Sequence, residues 1–195
     1  MEPVRVILLP GSVLPAQPAY GALLEALGPD VQAIAKDLEL YADSAPPPGW
    51  SPAHADLWKQ YDQLDALPPE QFMPAFMRPG VKPDVVLPPP PPGPPPLWMA
   101  KRPAGLRAFV ETFKSYDLDR ARLAAFTKPV LFVLGGLSNP GDYADNAERL
   151  ARVFTDFRLE VFPERHHFDP PHRIEPDRVA ALLREHWQRA EGQPA

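Results

Sequence analysis

In the stretch "KPDVVLPPPPPGPPPLW", nine residues between Pro83 and Pro96 are prolines, out of 30 in the chain. Proline has no backbone N–H and holds φ near −65°, so consecutive prolines enter neither a helix interior nor a strand ladder and run as extended polyproline II. The tract therefore divides the chain: any sheet must be assembled from the residues on either side of it. The tract itself could wrap the domain as a spacer or dock into an aromatic SH3- or WW-like groove. Its place mid-chain between helical segments favours the spacer, anchored by Trp98 and the Met73, Phe76 and Met77 patch.

The two flanks share one rhythm. "VRVILLP" reads as a short buried strand and is followed by the loop "PGSVLPAQP". Tyr20, Leu23, Leu24 and Leu27 then fall at i, i+3, i+4 and i+7, and Gly28-Pro29 ends that helix. A second strand is expected from Val31 to Ala35, with Asp37 just beyond it as a turn or cap residue. After the tract, "PVLFVLGG" predicts a strand, and Tyr143, Ala147, Leu150, Ala151 and Phe154 predict one helical stripe. "FRLEVF" follows as a strand, and Pro176 opens a last helix with Val179, Leu182, Leu183 and Trp187 inward. Alternating strands and helices argue for a parallel α/β sheet. Between residues 51 and 126 no strand is expected. Helical stripes there include Leu57, Tyr61 and Leu64, then Leu106, Phe109, Val110 and Phe113.

Charge and composition exclude several classes. The formal net charge is −5, without a basic face to neutralise phosphates or anionic lipid, so no nucleic-acid partner is expected. The absence of cysteine excludes disulfides, thiolate zinc sites and a cysteine nucleophile, and makes a reducing compartment the default. The opening "MEPVRVILLPG" is too short for a signal peptide's apolar region, and no later stretch is long enough to span a membrane. The expectation is a cytoplasmic protein without a cofactor. With 195 residues it has enough length for one substantial core.

"ERHHFDPPHR", Glu164 to Arg173, holds three histidines and an aspartate. Three readings stand open. A metal would need His166 or His167, Asp169 and His172 to converge, yet Pro170-Pro171 forbids the helical i, i+4 geometry that makes paired histidine ligands specific. A catalytic base is the second reading. Loop residues that hydrogen-bond backbone and cap the last helix are the third.

Taken together, "VRVILLPGS" before an amphipathic helix, the strand running into "KDLELY", the strand-loop "PVLFVLGGLSNP" and "LEVFPERHHF" before a terminal helix resemble the α/β-hydrolase fold. The resemblance covers residues 1–50 and 127–195, with 51–126 standing where that family carries a helical cap. It implies a doubly wound, mostly parallel sheet of about four strands in the order 2-1-3-4, with hydrolysis of ester or acyl bonds in small molecules. His167, followed by Phe168, matches the family's histidine, and His166 replaces the usual small residue before it. Gly11, Ser12 and Val13 match the oxyanion loop. Asn139 falls where the acid is expected, and Asp142 lies three residues on.

The nucleophile motif departs from the family. None of Ser12, Ser44, Ser51, Ser115 and Ser138 lies in G-x-S-x-G, and a strand, elbow and helix have no counterpart between "KDLELY" and the cap. "GLSNP" matches the motif up to Pro140, which makes Ser138 the candidate nucleophile. The chain thus reads as an abridged hydrolase with impaired chemistry or as a non-catalytic binding or assembly module. Its expected partner is a small molecule, and sheet edges left by the missing strands could pair with a second copy.

Overall fold

The computed structural model describes residues 4–8, 16–35, 60, 63–87, 89, 93–94, 121, 123 and 125–192. The Trp98 anchor, the 106–113 stripe and most of the proline tract lie outside these residues.

Strand β1 (Val4–Leu8) leads to helix α1 (Ala16–Leu27) and strand β2 (Val31–Ala35). The helix stops where expected. Gly28 takes φ +68°, a left-handed conformation open to a residue without Cβ. β1 and β2 pair in parallel from Val4↔Val31 to Leu8↔Ala35. Alternation along them buries Val31 and partly buries Val6, Leu8 and Ala33, leaving the cross-strand pair Ile7 and Ile34 exposed.

A 3₁₀ turn at Gln63–Ala66, helix α2 (Pro69–Met77) and a second 3₁₀ turn at Arg78–Gly80 follow. Leu64, Phe72 and Phe76 form a small cluster of their own, and Phe168 packs edge-on to Phe76 at a ring distance of 6.2 Å. Val81 bridges to Ser138, and the Lys82 amide donates to the Leu137 carbonyl at 2.9 Å. This segment is stitched to the loop after the next strand.

Strand β3 (Val130–Gly135) runs through a π-helical turn (Pro140–Ala144) into α3 (Asp145–Val153), then β4 (Phe157–Phe162). The π turn shifts the helical phase, because it adds a residue per turn ahead of α3. Ala147 is buried and Leu150 half-buried as expected, but Ala151 is exposed, and Tyr143 faces His167 with ring centroids 4.7 Å apart. Short helix α4 (Pro171–Ile174) and long helix α5 (Pro176–Glu191) complete the described chain, each with proline in its first turn.

The architecture is α/β, but the expected four-strand sheet in the order 2-1-3-4 is not formed. β1 pairs only with β2, and β3 only with β4, giving two separate parallel pairs among the described residues. Helix packing takes the place of strand pairing between them. Leu23 and Leu27 of α1 meet Val179, Ala180 and Leu182 of α5 and Phe162 of β4 in one core, with Leu131 and Val133 against it. Both pairs reach that core through side chains, not through a shared backbone ladder. At the rim, Arg184 of α5 reaches Asp30 at 2.7 Å and also donates to the Leu27 carbonyl, closing the C-terminal end of α1. No helix among the described residues is long and apolar enough to cross a membrane.

Phe162 and Leu27 are both 0% exposed, and they define the seam. Phe162→Ala is expected to cost about 3–5 kcal/mol in urea unfolding, as transfer and cavity terms add. Ile34→Thr, on the open face, should change stability by less than about 0.5 kcal/mol. Equal effects would place the core elsewhere.

Candidate functional site

β3 ends in Gly135-Gly136, and the loop after β4 lies directly on these residues. A Cβ on Gly135 would stand 2.6 Å from the Arg165 carbonyl oxygen, and one on Gly136 would stand 2.8 Å from Pro163 Cα. This approach lets the Gly136 amide donate to Phe162 at 2.7 Å and the Leu137 amide to Arg165 at 2.9 Å. It also brings Ser138, 5% exposed, and His166, 8% exposed, onto one wall.

That wall borders a half-open crevice of about 480 Å³ at the C-terminal ends of the β3–β4 pair. Its apolar surface comes from residues such as Met77, Phe132, Leu134, Phe168 and Pro170, and its polar groups from Ser138, two tyrosines and three histidines, with Arg173.

Each histidine has a different setting. His166 Nδ1 accepts from the Phe168 amide at 3.2 Å and the Asp169 amide at 3.1 Å. These bonds assign the neutral ring's proton to Nε2, since a proton on Nδ1 would face two N–H donors. Burial lowers the pKa of His166; the Asp169 carboxylate opposes that shift and Arg165 adds to it. His167 lies between the rings of Tyr143 and Phe168, at 4.7 and 4.9 Å. Burial lowers its pKa to about 4, with His166 and His172 contributing. More than a third of its surface remains open to water, which moderates desolvation, so the geometry fixes the direction: toward the neutral ring. His172 stacks on Tyr20 of α1 at 4.8 Å, and burial, then Arg173, lowers its pKa.

Arg165 braces the loop from its other flank. Its Nη1 bonds Asp169 at 3.0 Å, and its Nε stands 2.9 Å from Glu175 without an aligned hydrogen bond, so that second contact is Coulombic. Among the described residues no group of three His, Asp or Glu side chains is placed to hold a metal ion.

The sequence-derived site residues are only partly brought together. Ser138, His166 and His167 share the crevice. No hydrogen bond joins Ser138 to either imidazole, and no non-glycine residue described has the positive φ of a strained nucleophile turn. Asn139 is engaged elsewhere: its side chain accepts from the Gly141 amide at 3.0 Å and donates to the Pro79 carbonyl at 2.8 Å. Asp142 accepts from Asn146 at 3.2 Å. Gly11, Ser12 and Val13 lie outside the described residues. Tyr20, Tyr143 and Arg173 enter the crevice without a motif to announce them. Tyr20 reads in sequence as a core-stripe residue, and its contact with His172 spans most of the chain.

The histidine settings imply acid sensitivity of definite sign. Unfolded imidazoles titrate near a pKa of about 6.5. Above that pH both states are neutral. As pH falls below it, the unfolded chain takes up protons that the folded rings refuse, so stability declines until the folded values are reached, near 4 for His167. Urea midpoints should drop across this window, and His167→Gln should flatten the slope. An unchanged slope in the variant would show that His167 does not contribute.

No protein-family model matches the chain, and neither the curated proteins nor the solved structures include a match to it.

Proposed function

We propose that the protein binds a small molecule in the crevice at the C-terminal ends of β3 and β4, on a hydrolase-like scaffold whose ester- or acyl-bond chemistry is impaired. The observation that carries this reading is the half-open crevice of about 480 Å³ in which a hydroxyl, phenols and imidazoles lie among apolar walls. Small-molecule sites in α/β proteins favour this position, outside the carboxyl ends of parallel strands.

Impairment follows from what acyl transfer needs. A serine attacks when a base within hydrogen-bond reach takes its proton and a third group orients that base. Here the His166 lone pair at Nδ1 is spent on backbone amides, and Asn139 is spent on Pro79 and Gly141. His167 lines the same crevice as Ser138, which is the one observation favouring residual hydrolysis. An imidazole with a depressed pKa is a weak base, so such turnover would be slow.

A fluorophosphonate probe followed by mass spectrometry tests this. Folded protein should leave Ser138 unlabelled, and hydrolysis of a nitrophenyl ester should not depend on Ser138 or His167. Labelling of Ser138 that is lost in both Ser138→Ala and His167→Gln would replace this reading with a working serine hydrolase. The two strand pairs also leave unpaired strand edges among the described residues, and edge pairing between copies would give a dimer. Light scattering at the monomer mass across micromolar concentrations would remove that part.

A further inference from the structure

Arg173 is the exception among the arginines of the C-terminal third. Every other arginine from Arg149 to Arg189 faces a carboxylate. Arg173 is exposed, lines the crevice, and has no ion pair or side-chain hydrogen bond among the described residues. The nearby carboxylates of its own loop do not reach it, because Asp169 and Glu175 are held by Arg165.

The described lining of the crevice carries no compensating charge. Among the described residues no aspartate, glutamate or lysine lines it. Its other titratable groups among the described residues are Tyr20 of α1, Tyr143 of the π turn, and His166, His167 and His172 of the loop. The phenols are neutral at pH 7, and the three imidazoles are held toward the neutral form. Among the described lining residues one cation, Arg173, therefore faces a space walled by Phe132, Phe168, Tyr20 and Met77. The net charge of −5 on the whole chain opposes anions at a distance, but within a screening length of roughly 10 Å the local guanidinium dominates.

We propose that the crevice takes a small organic monoanion: a flat apolar body bearing one carboxylate, with the carboxylate at Arg173 and the body against the aromatic walls. This rests on the crevice being a binding site. A guanidinium presents a planar fork of donors that matches a carboxylate, and the described lining offers no acid as a partner for a cationic ligand. The volume of about 480 Å³ falls within the roughly 300–1,000 Å³ usual for small-molecule pockets.

Naphthoate and its uncharged amide, naphthamide, share one apolar body and separate the two claims by titration calorimetry. Naphthoate should bind more tightly by roughly three- to tenfold, the range expected for a solvent-accessible charge-assisted pair. Arg173→Gln should erase that preference with the urea midpoint unchanged, Arg173→Lys should keep part of it, and added salt should weaken naphthoate more than naphthamide. Equal binding of the two compounds to the unaltered protein, or a preference that survives Arg173→Gln, would overturn the proposal while leaving the crevice a binding site. Failure of both compounds to bind would take away the crevice reading and this inference with it.

Discussion

Backbone on backbone, at the end of β3, is the contact from which the rest of the site follows. Any side chain at Gly135 or Gly136 would collide with main-chain atoms of Arg165 or Pro163, which have no rotamer to change. Because both positions lack Cβ, the loop after β4 continues the parallel association beyond the last paired strand residues, through the amides of Gly136 and Leu137. Side chains that are distant in sequence then share one wall. The crevice is thus a product of chain approach before it is a product of any particular side chain.

The elements themselves were legible in the sequence to a large degree. The stripe ending at Leu27, the Gly28 stop, the four strands and the inward face of α5 all follow from apolar spacing and terminal signals, which report local burial directly. Two things were not legible. One was the arrangement of the strand pairs: periodicity says that Val6 and Val133 face a core, but not that α1 and α5 meet between their pairs where a shared ladder was expected. The other was Tyr143, which joins the α3 stripe on an unbroken 3.6-residue period. The π turn at Pro140–Ala144 breaks that period and delivers the ring to His167.

The "ERHHFDPPHR" stretch shows why a cluster of one residue type is a poor guide to shared chemistry. Its three imidazoles have three unlike partners, namely the loop's own amides, Tyr143 and Tyr20. Two of those partners come from elements far away in the chain, and no spacing rule within ten residues could supply them. What the rings share is a loss of solvation, least complete at His167, which drives each toward the neutral form and makes the wall polar without making it charged. Against that neutral background the charge of a single exposed arginine gains weight.

A crevice and a catalytic centre make different demands on a loop. The crevice needs the loop held close and rigid, which the paired amide bonds to His166 Nδ1 and the Arg165 contacts with Asp169 and Glu175 accomplish. A general base needs an imidazole nitrogen left open toward a hydroxyl, with its other nitrogen held by an acceptor. His166 reverses that arrangement: its acceptor nitrogen faces inward to backbone donors, so only an N–H remains for the crevice. The bonds that shape the space therefore remove His166 as a proton acceptor while leaving it a hydrogen-bond donor. A donor on an apolar wall suits recognition of a carbonyl or carboxylate oxygen better than it suits abstraction of a proton.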